Sequence, residues 1–159
     1  MTSNRPHDYA FLRRPIILDL IPGAGPLGGL YTALSAASLP VVAVVACDMP
    51  FIRPELLSAQ RRILIDESVD VVIPRSPDGM EPLHAVYNRD ACLPVIRAAL
   101  KQGERRMISW LPSVRVREMT AEEIAVYDPQ FWSFINVNSP EEFRDAEDLA
   151  RRMEGEGSP

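Results

Sequence analysis

An α/β fold with a largely parallel sheet is what this sequence predicts, on three observations. Short apolar runs alternate with helix-length segments through the first half of the chain. The run 41–47 is apolar at every position, as in strands covered on both faces by helices. No internal repeat and no linker divides the 159 residues, a length that suits one core.

The elements follow in order. The β-branched, apolar run 16–20 reads as a first strand, leading into the loop Ile21-Pro22-Gly23-Ala24-Gly25-Pro26 and a small-residue helix over about 27–37. The next strand is 41–47, closed by Asp48-Met49-Pro50. Pro54 suits the first turn of a helix over 55–66. Strand 69–73 ends at Pro74, and the loop 75–79 is rich in turn residues. Strand 83–87 and helix 93–102 follow, the helix stopped by Gly103. Residues 114–117 alternate like a half-exposed strand, and 131–137 form a last extended segment. Ser139-Pro140-Glu141-Glu142 supplies the cap, first position and acidic first turn of a final helix. The organisation expected is a single domain over 1–153 with a disordered tail at 154–159.

Composition narrows the function. An apolar fraction of 47% with 25% charged residues is that of a globular protein. No apolar run reaches the roughly 18 residues of a membrane span, and the polar start Met1-Thr2-Ser3-Asn4 lacks a signal-peptide core. The expectation is a cytoplasmic protein. Cys47 and Cys92, with no CxxC spacing, read as two buried thiols. A net charge of −5 argues against nucleic-acid and anionic-membrane partners, which need a basic face. Lys101 is the single lysine.

Two features could carry chemistry. Gly23-Ala24-Gly25-Pro26-Leu27-Gly28 matches GxGxxG between a strand and a helix, and Asp48 ends the next strand, as in a dinucleotide site. Against NAD binding, Pro22 interrupts the turn and Pro26 removes an N–H from the group that would cradle a pyrophosphate. A plain structural turn stays open. Asp48 sits at the carboxyl end of a buried strand, the edge where open α/β sheets bind ligands, and a carboxylate there suits Mg²⁺ with phosphate oxygens. It could equally cap the turn before Pro50. His84 falls in an apolar strand pattern and reads as a packed core residue, and His7 lies in the polar leader. Asn136 and Asn138 bracket Val137 and would share one face of a strand, as a recognition edge or a pair satisfying a turn.

Five runs, in order, resemble the molybdenum cofactor guanylyltransferases (MobA-like NTP transferases). They are Gly25-Pro26-Leu27-Gly28-Gly29-Leu30, Ala46-Cys47-Asp48-Met49-Pro50-Phe51, Glu81-Pro82-Leu83-His84-Ala85-Val86-Tyr87, Gly103-Glu104-Arg105-Arg106 and Phe134-Ile135-Asn136-Val137-Asn138-Ser139-Pro140-Glu141-Glu142. The resemblance implies a Rossmann-like three-layer α/β/α nucleotidyltransferase fold. The implied activity transfers GMP from GTP to molybdopterin with release of pyrophosphate. By that analogy Asp48 is the catalytic, nucleotide-side and metal residue, holding Mg²⁺. Gly25, Pro26, Leu27, Gly28 and Gly29 border the nucleotide, and Asn136 and Asn138 hold the pterin side of the product.

The family opens with a strand and a loop of form LxGGxSxRMGxxK, and nothing like it precedes Gly23. The expectation is therefore a chain lacking the N-terminal strand-loop-helix, with a gap beside 41–47 and weak or no activity alone. The partners implied are GTP and molybdopterin, with homo-oligomerisation or pairing with a missing N-terminal half. The alternatives are another nucleotidyltransferase, acting on cytidylyl or sugar-phosphate substrates, or a non-catalytic remnant that binds a partner.

Overall fold

The computed structural model describes residues 1–4 and 6–156. It begins with a 3-10 turn, Pro6–Leu12. Helix α1 (Gly25–Ala36), strand β1 (Val41–Val45), helix α2 (Pro54–Asp66) and strand β2 (Val71–Ser76) follow. A two-residue strand β3 (Gly79–Met80) returns the chain to β4 (His84–Asn88) and helix α3 (Arg89–Lys101). Strand β5 (Val116–Met119), the short helix α4 (Ala121–Ala125), a 3-10 turn at Trp132–Phe134 and helix α5 (Pro140–Glu156) complete the order.

The sheet runs β1-β4-β2-β3, with β5 on the other side of β2. Only β2–β5 is a parallel ladder; β1–β4, β2–β4 and β2–β3 are antiparallel. The expected largely parallel sheet is thus corrected to a mixed one. β1, β2 and β5 do share a direction, but β4 lies reversed between β1 and β2, so both of its ladders are antiparallel. Its residues are buried on both faces, and that pattern reports coverage by helices without reporting direction.

Alternation along β2 and β4 divides the core. Val71, Ile73, Ala85 and Tyr87 join Leu27, Leu30 and Leu34 of α1 and Ile96 of α3 on one face. Val72 and Val86 join Leu56 and Leu64 of α2, Met119 and Ile124 on the other. The period of two along a strand makes this division, and the three-layer α/β/α architecture follows from it.

Two ends are sealed as the sequence predicts, and one differs, since α3 starts at Arg89, ahead of the expected 93–102. Asn88 caps α3 by accepting from the N–H groups of Asp90 and Ala91. Gly103 turns at φ +87° after that helix. Ser139 accepts from Glu142 N at 3.1 Å while the Glu142 carboxylate accepts from Ser139 N, a reciprocal cap for α5.

Other expectations are corrected. Residues 16–20 form no strand: Ile17 makes one bridge to Thr2, and Leu18 and Leu20 are 57% and 56% exposed. β1 stops at Val45, and β5 starts at Val116, two residues later than the alternation indicated. The segment 131–137 opens as a 3-10 turn. Of the expected tail, 154–156 continues α5, and 157–159 lies outside the described residues. Cys92 is buried, but Cys47 is exposed, because β1 is an edge strand. Among the described residues no helix is long and apolar enough to cross a membrane.

Candidate functional site

Asp48 is placed by three constraints. Ala46 N donates to Leu83 O at 2.8 Å, carrying the β1–β4 pairing just past the strand. Met49, 5% exposed, anchors the turn in the interior. Val137 N then donates to Asp48 O at 2.9 Å, bringing the 135–138 segment alongside. The Asp48 side chain is half-buried, and among the described residues no donor or cation partners its carboxylate. It lies where two cavities meet. One, of about 860 Å³, runs along β1 and α1. The other, of about 550 Å³, lies under α5 and is also lined by Cys47, Phe51 and Val137.

The Gly-rich run splits between core and cavity. α1 begins at Gly25, at φ +65°, with no side chain capping its N-terminus. Leu27 is wholly buried in the core. Gly28 is packed so closely that a Cβ there would lie 2.5 Å from Ala24 Cβ. Pro26 and Gly29 line the large cavity together with Asp48, and Gly29 has open space where a Cβ would be. Any contact of Leu27 with a ligand would therefore run through its backbone. Asn136 and Asn138 are both exposed on either side of Val137. The structure brings their backbone to Asp48, and neither side chain lines a cavity; Asn136 Nδ2 donates to Phe134 O at 3.5 Å.

Beneath the loop that carries Asp48 lies a buried polar layer that sequence reading missed. His84 pairs opposite Val45 in the β1–β4 register, is fully buried, and has no partner for either ring nitrogen. Its ring meets Phe134 edge-on, with centroids 5.1 Å apart. Gln60 Nε2 donates to His84 O at 3.1 Å. The buried Asp128 accepts from Ser133 N at 2.7 Å, and Ser133 Oγ donates to Phe51 O at 3.3 Å. Burial holds the His84 pKa below the usual imidazole range, partly offset by the charge of Asp128. His84 is the packed residue that the sequence predicts, and the link from this layer to the loop after Asp48 is the Ser133 bond to Phe51 O. At the far end of β2, burial raises the Glu81 carboxyl, opposed by the hydrogen bond donated by Ser76 Oγ at 2.7 Å.

The second wall of the smaller cavity was also missed. Phe143, Ala146, Glu147, Ala150 and Met153 of α5 face it. Their spacing of three and four is the signal that could have found them. Among the described residues, no lysine or arginine lines either cavity.

The layers define an α/β protein, and the carboxyl end of β1 carries the Asp48 carboxylate beside a Gly-rich helix start. Residues 1–116 match the family model of the MobA-like NTP transferase domain. The chain is 37% identical over 135 residues to the probable molybdenum cofactor guanylyltransferase of Pelotomaculum thermopropionicum, covering 85% of this chain and 64% of that one. It is 34% identical over 149 residues to the molybdenum cofactor guanylyltransferase of Desulfosudis oleivorans, covering 92% and 72%. The crystal structure of molybdopterin-guanine dinucleotide biosynthesis protein A from Archaeoglobus fulgidus superimposes with a TM-score of 0.79 at 28% identity, covering 94% of this chain and 76% of that one. The 2-C-methyl-D-erythritol 4-phosphate cytidylyltransferase of Thermus thermophilus shares the fold, at a TM-score of 0.54 and 18% identity. The chain belongs to the MobA-like NTP transferase family. It spans just under two thirds of the length of the Pelotomaculum relative.

Proposed function

We propose that this chain carries the Asp48 side of a guanylyltransferase site that transfers GMP from GTP to molybdopterin. The observation that carries the reading is the unpartnered Asp48 carboxylate where two cavities meet, with Pro26 and Gly29 on one side and α5 on the other. The names of the relatives supply the substrate class.

In the reaction, a terminal phosphate oxygen of the pterin attacks the α-phosphorus of GTP. The bond from that phosphorus to the β-bridging oxygen breaks, and pyrophosphate leaves. Such a transfer needs orientation and charge compensation and no protein nucleophile. The open face at Gly29 lets a base approach the backbone of α1. The half-buried turn at Asp48 is held through its backbone, by Val137 N on Asp48 O and by Ser133 Oγ on Phe51 O, and leaves the carboxylate free to take a ligand.

The residues fit Mg²⁺ in one way. No group of three or more metal-binding side chains exists among the described residues. The ion would thus be held by Asp48 and by phosphate oxygens of the nucleotide, as Mg²⁺ commonly is. When bound, it supplies positive charge against the phosphates. With no lysine or arginine among the described residues lining either cavity, the chain alone is expected to bind GTP weakly and turn over slowly, if at all.

Calorimetry of GTP with and without Mg²⁺, against CTP and against Asp48→Ala, tests the reading. The expected result is GTP binding that needs Mg²⁺, exceeds CTP binding and falls at least tenfold in Asp48→Ala. Binding indifferent to both Mg²⁺ and Asp48, in folded samples, would overturn it.

A further inference from the structure

Between α4 and α5 the chain passes from Asp128 to Val137 without forming a strand, yet it meets the loop after β1 at three successive points. The Arg53 guanidinium lies 6.0 Å above the ring of Trp132. Ser133 Oγ donates to Phe51 O at 3.3 Å. Val137 N donates to Asp48 O at 2.9 Å. The two segments therefore run antiparallel, and 132–137 braces the turn from Asp48 to the start of α2.

Two acceptors of Asp128 give the brace its shape. Phe131 N donates to the main-chain oxygen of Asp128 at 3.1 Å, and Ser133 N donates to Asp128 Oδ2 at 2.7 Å. The chain bends at Phe131, with φ +57° and ψ +28°, a left-handed conformation that a phenylalanine rarely adopts. Such a bend persists only where its surroundings over-determine it. Asp128 and Ser133 are fully buried, so water does not compete for the short bond between them. That bond orients Ser133 and aims its hydroxyl at Phe51 O. On the inner side, the His84 ring meets Phe134 edge-on and backs the same turn. Asp128 Oδ1 has no partner, which offsets part of the stability that the cap contributes. The shape of the segment is the larger effect.

We propose that Asp128 is a positioning residue of the candidate site: it fixes 131–137 so that the bonds to Phe51 O and Asp48 O hold the Asp48 turn ready for Mg²⁺ and nucleotide phosphate. Asp128 lines neither cavity at Asp48 and acts through Ser133 and Val137. The proposal rests on the guanylyltransferase reading for what is bound, and on this geometry for how the turn is held. A displacement of about 1 Å at such a site lowers a rate by as much as about a hundredfold.

Amide exchange by NMR on the full chain reads the turn directly. In Asp128→Ala the Val137 amide should lose at least tenfold more protection than the amides of β2 and β4. Asp128→Asn keeps an oxygen for Ser133 N and should restore Val137 to within twofold. Leu64→Ala, a change in the core layer on the same side of the sheet, should instead speed Val137 and the strand amides in step. In calorimetry, Mg²⁺-dependent GTP affinity should fall at least fivefold in Asp128→Ala and stay within twofold in Asp128→Asn. Should Asp128→Ala fail to fold, Ser133→Ala decides, since it removes the bond to Phe51 O and keeps Ser133 N on Asp128. Val137 should again lose protection selectively, by at least threefold. Protection lost only in proportion to the strands, no rescue by asparagine, or selective loss with unchanged GTP affinity would each overturn the proposal. A chain that binds no GTP before any substitution, with the exchange results as expected, would remove the guanylyltransferase reading and keep Asp128 as the residue that positions the turn. The two therefore fail separately.

Discussion

A methyl group added at Gly28 would sit 2.5 Å from Ala24 Cβ, while one added at Gly29 would meet nothing within 4 Å. The two glycines are neighbours on α1, so they separate packing from ligand approach. Gly28→Ala forces the start of α1 to shift and should cost about 1–3 kcal/mol of stability. Gly29→Ala should stabilise by about 0.5–1 kcal/mol, since alanine is the better helix former. If nucleotide approaches α1 over Gly29, that more stable variant should bind GTP more weakly. Urea denaturation and calorimetry on the same preparations read both effects, and unchanged affinity would remove the base from this face. His84 gives a second prediction. Its folded pKa lies below its unfolded value because burial disfavours the imidazolium. Between the two values the unfolded chain binds the extra proton, so stability falls as pH drops through and below the ordinary histidine range. The urea midpoint should decline from pH 7.5 to 5.5, and His84→Asn should flatten that decline. The raised pKa of Glu81 acts with the opposite sign and is common to both proteins, so their difference isolates His84.

At the scale of elements, α5 shows how a cap can act on a site. Ser139 and Glu142 cap it reciprocally, and its inner face walls the smaller cavity beside Asp48. Ser139→Ala should cost about 1 kcal/mol and loosen that wall, seen as faster amide exchange in the first turn of α5 with β2 and β4 unaffected. The cap was legible because Ser-Pro-Glu-Glu carries its mechanism in four adjacent residues. The strands at 41–45 and 84–88 were legible because apolar runs report burial. The direction of β4 was not, since a strand covered on both faces reads the same either way. The run 16–20 misled for a related reason: strand preference without a partner to pair with produces one bridge and exposed leucines. In the site, Asp48 stood out as an acid closing an apolar strand. The layer of Gln60, His84 and Asp128 did not, because residues so far apart in the chain share no spacing that a sequence can show.

For the whole molecule, the sheet joins two cores that have few other reasons to unfold together. Alternate residues of β2 and β4 serve opposite faces: Ile73 packs with α1 and α3, and Val72 with α2. A strand cannot lose one face and keep the other in register, because the same backbone ladder positions both. The two layers should therefore melt as one unit despite their separate clusters. The two tryptophans can report this independently. Trp110 is buried among the α1–α3 cluster, and Trp132 lies on the other side of the molecule, with Arg53 6.0 Å above its ring. With Trp110→Phe and Trp132→Phe as single-reporter backgrounds, Ile73→Ala should cost about 2–4 kcal/mol. It should lower the urea midpoint equally for both fluorophores, although the lost side chain belongs to the face of Trp110 alone. Coincident curves would show that β2 and β4 couple the layers, so that damage in either core also disturbs the Asp48 turn at the end of β1. A Trp132 transition that stayed in place while the Trp110 transition moved would divide the molecule into two units, and the turn would then depend only on the face that carries His84.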